Sequence, residues 1–223
     1  MGSVIGDILP LALGVAISPI PIIAAILMLL SPKARVTSVG FLFGWVLGIV
    51  VAVTVFTLVS SLLPEGDSDA SHPIRGAVQL VLGALLFLLA FGQWRKRPRP
   101  GEEAALPKWM KAIDTITFPF AFGLGFLLSA VNPKNLIMAA GAGTDIGGGA
   151  LPVGSIVVVI AVYTVIAAST VLVPVIGYLV AADRLRAPLD ALRGWLATEN
   201  AVIMAVLLLV IGISMIGKGI GSF

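Results

Sequence analysis

Gly125-Phe-Leu-Leu-Ser129-Ala-Val-Asn132-Pro133-Lys134-Asn135-Leu-Ile-Met-Ala-Ala-Gly141 is the stretch on which the reading of this chain turns. It lies inside a run apolar enough to cross a bilayer, yet it holds a proline, two amides and an ammonium group. A charge at the centre of a membrane helix costs roughly 2.5–3.5 kcal/mol on insertion scales and usually faces a pathway or a partner. Pro133 cannot donate a backbone hydrogen bond, which leaves a carbonyl near Ser129 without its donor. A broken helix beside a cation is a place where a polar cargo can sit at membrane depth. The Lys134 ammonium is expected to be unpaired among apolar neighbours. The competing reading is a helix that ends at Asn132, with Lys134 snorkelling to the interface. The apolar run resumes at Leu136, which favours the break.

Composition sets the class. The 223 residues are 59% hydrophobic and 11% charged, with mean hydropathy +1.11, whereas a soluble domain carries about 25% charged residues. The chain is therefore read as an all-α polytopic membrane protein. With no cysteine, disulfides, thiol redox chemistry and iron–sulfur clusters are excluded, and the single histidine, His72, cannot make a metal site alone. The first basic residue is Lys33, so the apolar N-terminus has no basic n-region and is kept as a membrane segment.

Charges bracket six apolar spans: 8–30, 37–63, 76–94, 115–143, 151–182 and 200–217. Lys33 and Arg35, then the cluster from Arg95 to Lys111, then Arg184, Arg186 and Arg193 fall in alternate loops. The intervening loops are the acidic 64–75 and a Gly-rich turn around Asp145. Basic loops stay inside, so the expected location is the inner (plasma) membrane, multi-pass, with both termini extracytoplasmic. The Pro-rich segment 95–114 is read as a cytoplasmic linker between a first half, 1–94, and a second half, 115–223. Leu185, Leu189, Leu192 and Leu196 recur at helical spacing, so a short amphipathic interfacial helix is expected near 185–198. The alternative for that stripe is packing on neighbouring protein.

Span one has its own break at Ser18-Pro19-Ile20-Pro21, in a position matching Asn132-Pro133 of span four. Laying Leu13-Gly14 on Leu124-Gly125 also sets Ser18 on Ser129. Three spans per half is an odd number, so the halves must be inverted in the membrane. Interrupted helices at matching places in inverted halves point to a transporter binding site. The expected fold is six transmembrane helices as two inverted three-helix repeats, with helices one and four broken at prolines. The expected substrate-binding set is Ser18, Pro19, Pro21, Ser129, Asn132, Pro133, Lys134 and Asn135. Gly44-Trp-Val-Leu-Gly48 has the small-xxx-small spacing of close helix packing, and no function is assigned to it.

Residues 11–24 around Ser18-Pro19-Ile20-Pro21, then Gly44-Trp-Val-Leu-Gly48 and Asn132-Pro-Lys-Asn135, resemble the GAP or Sap family of actinobacteria. These are peptidoglycolipid- or sulfolipid-addressing proteins within the lysine-exporter (LysE-like) superfamily. Thr170-Val-Leu-Val-Pro174, Leu192-Arg-Gly-Trp-Leu196 and the segment 211–219 resemble its later blocks. The resemblance implies six transmembrane helices and outward movement of envelope glycolipids or their precursors. It also places Pro19, Pro21, Asn132, Pro133 and Lys134 on the family's motif positions.

The expected function is thus a transporter or flippase exporting a glycolipid, a lipid precursor or another small anionic metabolite. The alternatives are an accessory membrane subunit of a larger lipid-export machine, or a LysE-type exporter of an amino acid or small cation. An enzyme is not expected, because no Asp, Glu, His or Cys is placed deep in any of the six spans. Expected partners are the lipid or small-molecule cargo, membrane lipids, and a second copy of the chain or envelope lipid-export machinery. No cofactor, metal or nucleic acid is expected.

Overall fold

The computed structural model describes residues 1–62, 73–97 and 115–222, apart from the side chain of Asp183. The acidic loop and most of the Pro-rich linker, including Asp67 and Asp114, lie outside these residues. Eight helical segments follow in order: α1 (Gly2–Ala16), α2 (Pro19–Leu30), α3 (Ala34–Ser61), α4 (Pro73–Arg95), α5 (Phe118–Ala130), α6 (Pro133–Gly147), α7 (Val153–Ala182) and α8 (Arg184–Ile220). Four of them, α3, α4, α7 and α8, are each long and apolar enough to cross a bilayer. The pairs α1–α2 and α5–α6 are bent by 53° and 59° at their breaks, and counting each pair as one span brings the total to six. The chain is a multi-pass membrane protein.

Each crossing helix shows the same division of faces. On α3, Phe43, Leu47, Val51, Val55 and Leu58 point outward, four or three residues apart, while Phe41, Trp45, Ile49 and Val53 are buried. Outward apolar side chains over several turns are stable only where lipid replaces water. The interior is assembled by glycine. A Cβ on Gly44 would run into the Phe122 carbonyl, and one on Gly125 would run into the Phe41 carbonyl. Backbone thus lies on backbone where α3 crosses α5, the closeness that small-xxx-small spacing permits. On the other side, Gly83 of α4 sits against Ile216 of α8, and Gly219 of α8 against Leu80 of α4.

Several expected boundaries move. The sixth span does not begin at Asn200: α8 is helical from Arg184 to Ile220, 37 residues and about 55 Å long. The separate interfacial helix near 185–198 is therefore the first part of a continuous one. Leu189 and Leu196 are buried and Leu185 packs beside Gly177 of α7, so protein covers most of that stripe. The chain bends instead at Ala181, whose dihedrals (φ −143°, ψ 52°) leave the helical region. Asp145 is not in an outer turn. α6 runs on through Gly147, which buries Asp145 in its last turn. Arg75 of α4 holds that end by donating to the carbonyls of Thr144, Asp145 and Gly148 at 3.1–3.2 Å.

Candidate functional site

Both breaks are built alike. Pro19 and Pro133 are the first residues of α2 and α6, where a helix has no use for an N–H and φ near −65° is already correct. The prolines thus start the second segments and need not tear a hydrogen bond from the first. Asn132 caps α6, its side chain accepting from the Lys134 backbone N–H at 3.0 Å. Asn135, one turn into α6, reaches back and donates to the Leu128 carbonyl at 3.0 Å. A side-chain amide thus satisfies one of the carbonyls that the end of α5 leaves bare. The other amide atom, Asn135 Oδ1, is buried without a partner.

The two breaks meet through Lys134. This residue is 4% exposed, and its ammonium donates to the Gly14 carbonyl and to Ser18 Oγ across the bundle. The charge has no carboxylate against it among the described residues, but it is hydrogen-bonded to two neutral groups where none was expected. α1 supplies the reason, because a helix that stops inside the protein leaves its last carbonyls bare. Here each finds a donor: Leu13 O takes Ile17 N–H, Gly14 O takes Lys134, Val15 O takes Ser18 Oγ–H, and Ala16 O takes Thr170 Oγ1–H at 2.6 Å. An ammonium at a helix C-terminus also opposes the negative end of the helix dipole.

Of the expected set, Ser18, Lys134, Asn132 and Asn135 gather at the junction, with Pro19, Pro21 and Pro133 buried or at its helix starts. Ser129 does not join Lys134. It donates to Gly125 O and Phe126 O within its own helix and packs against Gly48 of α3. Laid on Ser18 by sequence, it differs because α3 fills the space that Lys134 takes at the first break. Gly14 and Thr170 belong to the junction and were not expected there. Gly14 lies in the Leu13-Gly14 pair that overlays Leu124-Gly125 and Thr170 opens the Thr170-Val-Leu-Val-Pro174 block, but Gly14 acts through its backbone and a hydroxyl in an apolar helix is ordinary, so neither pointed to this role.

α1 and α6 run antiparallel along one seam. Ser18 faces Lys134, Gly14 lies on Met138, Leu11 on Gly141, and Asp7 and Asp145 meet at the far end through Lys218 of α8. Ile211 and Met215 of α8 close the seam against Gly14 and Gly141.

The family model of Sap, sulfolipid-1-addressing protein, matches residues 8–221, from the second turn of α1 to the end of α8. The chain belongs to the Sap family. No curated protein and no solved structure matches it. The Sap match contains both breaks, Lys134, Thr170, Asp145 and Lys218, and begins one residue after Asp7.

Proposed function

We propose that this Sap-family protein passes an anionic, lipid-linked molecule across the membrane, with its headgroup taken up by Lys134 where the two broken helices meet. The observation that carries the reading is the buried ammonium, aimed from the first turn of one broken helix into the end of another. α2 and α6 both begin at the junction, so two positive helix ends face the site, as anion-binding transporters arrange them. The order broken pair, long helix, long helix occurs twice. α3 of the first half packs along α5 and α6, and the α7–α8 unit packs along α1 and α2. This exchange supports two inverted repeats related by an axis in the membrane plane, and with it placement within the LysE-like superfamily.

The hydrogen bonds of Lys134 to α1 favour one competing reading, in which it clips α1 to α6 and the chain serves as an accessory subunit of export machinery. Liposomes containing the purified protein separate the two. A fluorescent sulfated glycolipid placed in one leaflet should become accessible to quencher in the other only when protein is present, and a zwitterionic analogue should move more slowly. No movement with folded protein would leave the accessory reading.

The bias of basic residues toward alternate loops supports an orientation with Arg97 inside and Leu62 outside. The native chain has no cysteine, so Leu62→Cys should react in intact cells with an impermeant maleimide, and Arg97→Cys should react only after lysis. Reaction of Arg97→Cys from outside would reverse the orientation.

A further inference from the structure

A second polar cluster lies three turns along α6 from the first. Lys134 and Asp145 are eleven residues apart, which returns to the same helix face about 16 Å away. Lys218 Nζ is 2.9 Å from Asp7 Oδ1, 3.0 Å from Asp145 Oδ2, and donates to the Asp7 carbonyl at 3.0 Å. Gln79 Nε2 of α4 donates to Asp145 Oδ1 at 3.0 Å, and Ser222 Oγ–H reaches Gln79 Oε1. Arg75 is the other charge beside the cluster among the described residues, and its hydrogen bonds go to backbone carbonyls. Four helices, α1, α4, α6 and α8, are thus tied at one point. Two carboxylates share one ammonium.

A small cleft opens at this point, lined by Asp7, Leu11, Gln79, Asp145, Met215 and Lys218 among others. It leads onto the α1–α6 seam, whose filling is Leu11, Met138, Ile211 and Met215 between glycines. Methionine changes shape at little cost, so the seam can part without a void that no side chain can fill. Its mouth is held by ion pairs and its inner end by Lys134.

We propose that Asp7, Asp145 and Lys218 form a proton-released clasp that closes the seam between the Lys134 site and the surface bearing the chain termini. This rests on the reading of Lys134 as a cargo site, and it supplies that site with a gate and a proton-binding group. The ion pairs exist while both carboxylates are ionised. A proton taken from water by Asp145 removes its pair with Lys218, so the clasp is closed at high pH and loosens as pH falls. Motion at Asp145 reaches Lys134 because both are carried on one face of a single rigid helix.

Accessibility of the seam tests this without any cargo, so its outcome is independent of whether export is observed. Leu11→Cys reports the seam behind the clasp, and Leu62→Cys, at an outward-facing site, corrects for thiol ionisation and reagent. In detergent, the maleimide rate of Leu11→Cys relative to Leu62→Cys should be low in the unaltered clasp. Asp145→Asn or Asp7→Asn should raise it about tenfold, within the usual range of single-site coupling. Lowering the pH from ~8 toward ~4.5, into the range where protein carboxylates titrate, should raise it in the unaltered clasp and not in the doubly substituted one. If Asp145→Asn does not elute as folded protein, the pH series in the unaltered clasp decides. A ratio indifferent to pH, or unchanged in folded Asn variants, would make the cluster a fixed structural tie and overturn the proposal.

Discussion

Movement of a sulfated probe lipid by Lys134→Met protein should fall about a hundredfold, the effect of losing ~3 kcal/mol of charge-assisted hydrogen bonding. Folding should change far less. The ammonium's two hydrogen bonds, at about 1.5–3 kcal/mol each, are lost, but so is the burial cost of a charge, which is several kcal/mol in protein interiors. These terms oppose each other and leave a small net change. Lys134→Arg keeps the charge and should keep part of the activity, limited by a planar guanidinium in a space shaped for an ammonium. Lys33, exposed before α3, serves as the control, and Lys33→Gln should transport normally. The quantity to compare is transport per folded molecule. Equal rates for Lys134→Met and Lys33→Gln would leave Lys134 as a clip between helices, while loss of folding in Lys134→Met with normal activity in the surviving fraction would do the same.

The largest stability effect should come from one methyl group. Gly44→Ala or Gly125→Ala places a Cβ against a backbone carbonyl of the facing helix, so the helices themselves must separate. Overpacking costs about 1–3 kcal/mol when side chains can adjust, and here they cannot, so at least about 3 kcal/mol is expected. Gly123→Ala, on the same helix as Gly125 with nothing near the added carbon, should be neutral or slightly stabilising. Thermal denaturation in detergent reads the difference directly. If Gly44→Ala melted with Gly123→Ala, α3 and α5 would not cross as closely as described.

The sequence exposed features that break a local rule. A proline, two amides and a lysine in an apolar run have no ordinary role in a membrane helix, so both breaks could be read and their pairing inferred. Gly44 and Gly48 were legible for the same reason, since five-residue small spacing has one main use. What could not be read was complementarity across the chain. Lys134 has a partner in Gly14, and a backbone carbonyl has no letter of its own. Asp145 looked like a loop residue among glycines because the Arg75 side chain that extends the helix past it is some seventy positions away. Lys218 stands alone in an apolar run, and only the fold brings to it Asp7 and Asp145, 211 and 73 positions away. The length of α8 was hidden by its polar first turns, which mimic a separate surface helix.

The donors gathered around the end of α1 have a kinetic consequence. If an anion is to occupy Lys134, the ammonium must turn from the Gly14 carbonyl and Ser18, and that carbonyl then has no other donor described near it. The protein therefore carries its own rival ligand, permanently tethered and always at hand. On the proposed reading, a bound headgroup would be held against the tendency of the helix end to reclaim its cap, so residence would be brief and affinity modest. For a receptor this would be a defect. For a carrier, whose rate is set by letting go, a tethered competitor shortens the slow step, and turnover is gained where tightness is lost.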